Sequence, residues 1–331
     1  MPNKTASPDD IRALSSAFQQ SRILLTAADL DLFTHLGRAT RSAAELSPLI
    51  KADERALDRL LNALTALGLA TKQGNAFTAT DAAHALLSRE SPDYIALGHR
   101  SNLYANWNTL TQAVRTGMSV LTPDFDDDSR REDFIAAMHN RGGVDADGLA
   151  ARLPLAGLKR VLDVGGGSGV YAMGMCRAEP GLEVVVLELP KVVPITARYV
   201  AEAGLSDRIT TKAGNFNSDD WGAGYDLVLL SAIVHMLGPE ENARLLERAF
   251  AALAPGGWCA VVDFLMDDSR TRPAFGAVFA LNMLVNTARG DVYTRAEARD
   301  WFTHAGFVAL QDIDTGPKTS MVLGRKPGGG E

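Results

Sequence analysis

Cysteine is nearly absent from this chain, with two residues, Cys176 and Cys259, in 331. Stability from a disulfide framework is thereby excluded. Both cysteines fall in expected elements of one domain, a helix and a strand, which predicts buried reduced thiols and a cytoplasmic setting. Positive charge is also short, 33 Lys and Arg against 40 Asp and Glu, for a net charge of −7. That balance argues against a nucleic-acid partner or an anionic membrane surface. No apolar run reaches the roughly 20 residues that cross a bilayer. The opening Met1-Pro2-Asn3-Lys4-Thr5 has no hydrophobic signal core. The six histidines lack metal-ligand spacing, so no metal is expected, and there is no internal repeat. What is present is an ordinary globular composition, 46% hydrophobic and 22% charged, at a length that predicts two domains.

The most informative segment is Val161-Leu162-Asp163-Val164-Gly165-Gly166-Gly167-Ser168-Gly169. A short buried strand runs straight into a glycine-packed turn, and Val170 to Cys176 continues as a helix. Glycines there permit positive φ and leave no Cβ between backbone and ligand. Strand, turn and helix N-terminus form a nucleotide-sized cradle at the carboxyl edge of a sheet. Asp163 at the strand end would repel a pyrophosphate but suits a cationic ligand such as a sulfonium with its ammonium group. The next strand, Glu183 to Glu188, ends in an acid about 20 residues on, the spacing at which a carboxylate meets a ribose diol. Both acids together favour S-adenosylmethionine over a nicotinamide dinucleotide.

Two architectures follow one another. Residues 1–100 are mainly helical: Ile11, Leu14 and Phe18 open an amphipathic stripe, Ser42-Ala43-Ala44-Glu45 is a capping box, and Leu57, Leu60, Leu61, Leu64 and Leu67 form a helical face stopped by Gly68. Strands 69–72 and 76–79 flank Gly74-Asn75 as a hairpin. Helix, helix, hairpin is winged-helix order. Arg55 and Arg59, however, are interleaved with Asp53, Glu54 and Asp58, so that face lacks the uncompensated positive charge that phosphate contacts need. Residues 101–145 read as connecting helices with Trp107, Phe125, Phe134 and Met138. Residues 146–331 alternate strand and helix, with strands expected at 160–164, 183–188, 208–212, 225–230, 257–263, 307–311 and 320–324, and a helix at 239–254. That rhythm predicts an α/β, Rossmann-like doubly wound parallel sheet, which binds ligands at its strands' carboxyl ends. The tail from Lys326 to Glu331 reads as disordered.

Residues 146–325 resemble a class I S-adenosylmethionine-dependent methyltransferase. With the N-terminal helices, nearly the whole chain is similar to the small-molecule O-methyltransferases of the caffeic acid and acetylserotonin type. The carrying residues are Val161 to Gly169, Leu187-Glu188-Leu189-Pro190, Gly214-Asn215-Phe216, Asp226 to His235, and Ala254-Pro255-Gly256-Gly257. The resemblance implies that the N-terminal segment is a winged-helix dimerisation domain and the partner a second copy. It implies that Asp163, Gly165, Gly166, Gly167 and Gly169 hold the methionine portion of the cofactor. Glu188 with Leu189 would take the ribose, Gly214, Asn215 and Phe216 the adenine end. Ser231 stands where the family often has a cofactor-contacting Lys. It further implies His235 as general base, Asp263 as the acid orienting it, and Asp291 beside the place of a second acid. The chain departs from the pattern at His235-Met236-Leu237, where the family has His-Asp or His-Asn and then Trp, and at Asn215, commonly Asp.

A sulfonium methyl is already activated, so the protein must align a nucleophile and exclude water. An imidazole suits the removal of a hydroxyl proton near neutral pH. His35, His84, His99 and His304 read as structural or solvent-facing, and His139 could line the pocket. Phe134, Met138, Phe279, Asn282, Met283 and Asn286 are candidates to line an apolar acceptor pocket, although Phe279 and Met283 at i, i+4 suit plain core equally. The accepting atom stays open among oxygen, sulfur, nitrogen and carbon. A S-adenosylmethionine-responsive DNA-binding regulator is the reading from another class, and it needs a basic helix that the sequence lacks.

Overall fold

The computed structural model describes residues 5–121 and 128–329. The chain divides into two units, Met1–Tyr104 and Ala105–Glu331. Phe125 lies outside the described residues.

The first unit runs α1 (Pro8–Ser16), α2 (Phe18–Asp29), α3 (Leu32–Leu36), β1 (Arg41–Ser42), α4 (Ala43–Ile50), α5 (Glu54–Ala66), β2 (Ala70–Gln73), β3 (Ala76–Ala79) and α6 (Asp81–Leu87). The expected capping box forms, with the Ser42 hydroxyl accepting from the Glu45 backbone N–H. Leu57, Leu61 and Leu64 of α5 are buried with Phe33, Leu46 and Phe77. The hairpin is joined by β1, giving a three-stranded antiparallel sheet in the order β1-β3-β2. The stripe along α1 and the first residue of α2 stays uncovered: Ile11, Leu14 and Phe18 are 60%, 76% and 56% exposed.

α7 (Gly98–Trp107) leads into the second unit, which continues with α8 (Leu110–Thr116), α9 (Asp128–Ala150), β4 (Arg160–Val164), α10 (Val170–Ala178), β5 (Glu183–Glu188), α11 (Val193–Glu202), β6 (Ile209–Ala213) and β7 (Tyr225–Ser231). Then come α12 (Pro239–Ala252), β8 (Leu253–Asp263), α13 (Ala274–Asn286), α14 (Arg295–His304), β9 (Val308–Asp314) and β10 (Ser320–Arg325). Seven strands form one sheet in the order β6-β5-β4-β7-β8-β10-β9. Successive side chains point to opposite faces, so Leu227 and Leu229 of β7 enter one core and Val228 and Leu230 the other. No described helix is long and apolar enough to cross a membrane. Cys176 and Cys259 are free and buried.

Three expectations need correction. The sheet is not wholly parallel: β10 runs antiparallel to β8 and to β9. Residues 315–319 connect β9 to β10, too short a link for the crossover that a parallel pair requires. The helix expected to reach 254 stops at Ala252, and β8 starts at Leu253 instead of 257. The tail supplies the reason. Lys326 donates its backbone N–H to the Gly257 carbonyl at 2.8 Å, and its ammonium donates to the carbonyls of Phe250 and Leu253 at 2.7 Å. Lys326 and Pro327 are therefore tied down, not disordered, while Gly330 and Glu331 lie outside the described residues.

Candidate active site

The sheet order puts the ends of β4, β5 and β6 side by side, and those three ends carry the expected cofactor residues. Positive φ occurs at Gly165, Gly167 and Gly169, the last capping α10. A Cβ at Gly165 would lie 2.5 Å from Ile233 Cδ1, and one at Gly166 2.5 Å from Asp163 Oδ2. Packing against Ile233 and Asp163 therefore excludes side chains at Gly165 and Gly166. Asp163 sits under this turn, not in the cleft. It is fully buried, and neither carboxylate oxygen has a hydrogen-bond partner among the described residues. Burial first, and then the Glu188 carboxylate, push its pKa up to about 7.

Glu188 ends β5 with Oε1 accepting from the Gly167 backbone N–H at 3.0 Å and Oε2 from the Leu189 N–H at 2.7 Å. Burial raises its pKa. Each oxygen keeps a lone pair for a further donor. Gly214 donates its N–H to the Glu188 carbonyl, so β6 delivers the next loop to the same edge. Asn215 spends its amide oxygen within that loop, accepting from the Asn217 N–H at 2.9 Å. The Phe216 ring is half-buried beside Gly165. A glycine cradle with a carboxylate at the neighbouring strand end fits an adenosine bearing a cationic amino-acid arm. The Glu188 carboxylate, bonded only to backbone N–H groups, suits ribose hydroxyls and would repel a pyrophosphate.

The other half of the site is built on β7 and β8. After Ser231 the chain turns through a short helix, Val234–Met236, which aims His235 at the end of β8. His235 Nδ1 lies 2.8 and 3.0 Å from the two Asp263 oxygens. Asp263 also accepts from the Phe264 N–H at 2.8 Å and the His235 N–H at 3.3 Å. Since the carboxylate only accepts, Nδ1 carries the proton in the neutral ring and Nε2 keeps its lone pair. Phe279 of α13 meets the imidazole edge-on, with centroids 5.1 Å apart.

The remaining candidates divide. Asn282 and Asn286 are held in a ladder with α7: Trp107 Nε1 donates to Asn282 Oδ1 at 2.9 Å, and Asn106 Nδ2 to Asn286 Oδ1 at 2.7 Å. Their amide pairing is thus accounted for by helix–helix hydrogen bonds. Met283 is buried and Phe134 is 39% exposed. Asp291 is not brought to His235. It pairs with Arg270 at 3.4 Å on the surface, and Val292 takes the inward place among Phe264 and Met266.

Helix α9, expected to connect the domains and contribute Phe134 and Met138 to the acceptor pocket, touches both halves of the site. Its row Ile135, His139, Gly142, Ala146 packs on the glycine turn and α10. Ile135 reaches the side of Gly167, and His139 Nδ1 lies 2.9 Å from Ser168 Oγ with its ring stacked on Tyr199 at 4.1 Å. A Cβ at Gly142 would strike Val170. The neighbouring row, Phe134, Met138, Arg141, Asp145, ends with Arg141 over the Phe264 ring at 4.5 Å. Arg141, Asp145, Tyr171, Ser231, Asp263 and Thr315 share one small cavity. Ser231 therefore lines this cavity.

Residues 105–308 match the family model of the O-methyltransferase domain, and residues 13–89 that of the O-methyltransferase dimerisation domain. The chain is 33% identical to a 3-hydroxy-5-methyl-1-naphthoate 3-O-methyltransferase of Streptomyces sahachiroi, covering 92% of this chain and 91% of that one. It is 28% identical to an L-tyrosine C(3)-methyltransferase of Streptomyces lavendulae, covering 88% and 84%. The solved structure of PigF with SAH superposes with a TM-score of 0.89 at 25% identity, covering 97% of this chain and all of that one.

Proposed function

The chain belongs to the O-methyltransferase family, and from that premise we propose that it moves a methyl group from S-adenosylmethionine to a hydroxyl of a small molecule, with His235 as general base. The observation that carries this reading is the His235–Asp263 pair, which leaves Nε2 as an unprotonated acceptor beside Phe279. S-adenosylmethionine, when bound, supplies a methyl on a positively charged sulfur. The protein's own work is then positional. Glu188 and the glycine turn hold the nucleoside arm. The rings of Phe264 and Phe279 wall the histidine and exclude water. His235 Nε2 takes the hydroxyl proton as the oxygen becomes nucleophilic, and Asp263 at 2.8 Å stabilises the imidazolium that results.

His235→Gln should bind S-adenosylhomocysteine normally and lose roughly 10²–10⁴-fold in turnover, the usual worth of a positioned base. Methyl-labelled cofactor with a panel of phenols, thiols and amines reads this out. Near-normal turnover of the variant on the true acceptor would end the general-base role and favour a thioether, from which no proton leaves. The tyrosine relative is named for a methylation at carbon. Carbon attack beside a phenol also begins with loss of the hydroxyl proton, so product analysis, not the variant, separates those two. The dimerisation-domain match and the uncovered Ile11, Leu14 and Phe18 support assembly with a second copy.

A further inference from the structure

We propose that Arg141 is a specificity residue of this site, a guanidinium that binds a carboxylate on the acceptor, so that the preferred substrate is a hydroxylated aromatic acid. The inference rests on the methyl-transfer reading above and adds the substrate class to it.

The argument starts from what Arg141 lacks. It is half-buried, and among the described residues it has no ion pair. Taking a guanidinium partly out of water without an anion is unfavourable, and its planar N–H edge suits a carboxylate with two parallel hydrogen bonds. One face of the group is stacked on Phe264, which fixes its plane and leaves the donor edge free. Hydroxyl-bearing Tyr171, Ser231, Thr315 and Thr319 surround the same cavity and can take the second oxygen of a bound acid.

Two acids also face this cavity, Asp145 and Asp263. Asp263 is spent on His235 Nδ1 and two backbone N–H groups. Asp145 is exposed, and water screens it. Neither forms an ion pair with the guanidinium, whose N–H edge stays available.

Placement supplies the second leg. Arg141 stands on the row of α9 that carries Phe134 and Met138, not on the row that packs against the glycine turn. Arg141 and His235 share a neighbour in Phe264, whose ring centroid is 4.5 Å from the guanidinium and 5.9 Å from that of the imidazole. The proposal puts the acceptor's carboxylate at the first of these groups and its hydroxyl at Nε2 of the second.

The test compares 3-hydroxy-1-naphthoate with 2-naphthol, which lacks only the carboxylate. Calorimetry is done on the chain saturated with S-adenosylhomocysteine, and kcat/KM is measured alongside. Wild type should bind the acid more tightly than the naphthol. Arg141→Gln should lose about 10- to 100-fold in affinity and kcat/KM for the acid, the range for a hydrogen bond to a charged group, and stay within about twofold for the naphthol. Arg141→Lys should recover part of the loss. Wild type that does not bind the acid, or a variant that binds it unchanged, overturns the proposal. So does weakened S-adenosylhomocysteine binding with acid preference intact, which would give the guanidinium to the methionine carboxylate. A chain that binds the acid through Arg141 yet never methylates it would leave the specificity role standing and remove the hydroxyl-transfer reading.

Discussion

Asp263→Asn tests the coupling between the two halves of the proton-accepting pair while leaving its shape almost unchanged. The carboxylate oxygens each accept a backbone N–H as well as the ring, Oδ1 from Phe264 at 2.8 Å and Oδ2 from His235 at 3.3 Å. An amide must turn its NH2 toward one of these donors. The longer bond is the cheaper one to lose, so the amide oxygen should take the Oδ1 place and still accept from Nδ1. Tautomer and ring position survive at a cost of about 1–2 kcal/mol in stability. What disappears is the negative charge beside the imidazolium formed as the acceptor gives up its proton. For unit charges about 4 Å apart the attraction is about 1 kcal/mol in water and about 4 kcal/mol near a protein surface. Turnover should therefore fall between about 5-fold and about 10³-fold, less than for His235→Gln. The loss should be in kcat, with S-adenosylhomocysteine affinity unchanged. Equal kcat in Asp263→Asn, with His235→Gln impaired, would refute the coupling.

Glu188→Ala should weaken S-adenosylhomocysteine by about 1–3 kcal/mol, because ribose hydroxyls lose a charged acceptor; unchanged calorimetric affinity counts against that contact. Asp163 holds a proton in the folded chain up to about pH 7 that an unfolded chain releases near pH 4. Stability of the ligand-free protein should therefore decline as pH rises from 4 to 7, by ~4 kcal/mol at most. Asp163→Asn should remove that component, and an identical pH response of Tm in both proteins would refute it. Leu14→Glu with Phe18→Glu should shift the chain toward monomer in sedimentation, since both side chains are uncovered here; an unchanged dimer places the contact elsewhere.

The glycine turn, Glu188 and the His235–Asp263 pair were legible in the sequence because each sits at or just past a strand end. Strand position is written locally in hydrophobic runs, and the topology of such sheets brings those ends to one edge. Asp291 was not legible as a surface residue. Whether it or Val292 turns inward depends on Arg270, 21 residues away, and on room beside Phe264. Asn282 and Asn286 carried a true signal, two amides on one helical stripe, but their partners are Asn106 and Trp107, remote in sequence. Arg141 and His139 lay hidden for a different reason. Nothing along the chain records which side of α9 meets the turn, and the glycines that set its closeness, Gly142 and Gly174, become visible only when the helices are packed.

Neighbouring positions on a helix are separated by about 100° of rotation, so the two rows of α9 are adjacent but independently variable. A change at Arg141 leaves Ile135, His139 and Gly142 in register with the cradle. If the proposed role of Arg141 holds, acceptor preference can shift by point changes on one row while the other row keeps the methyl donor's cradle intact.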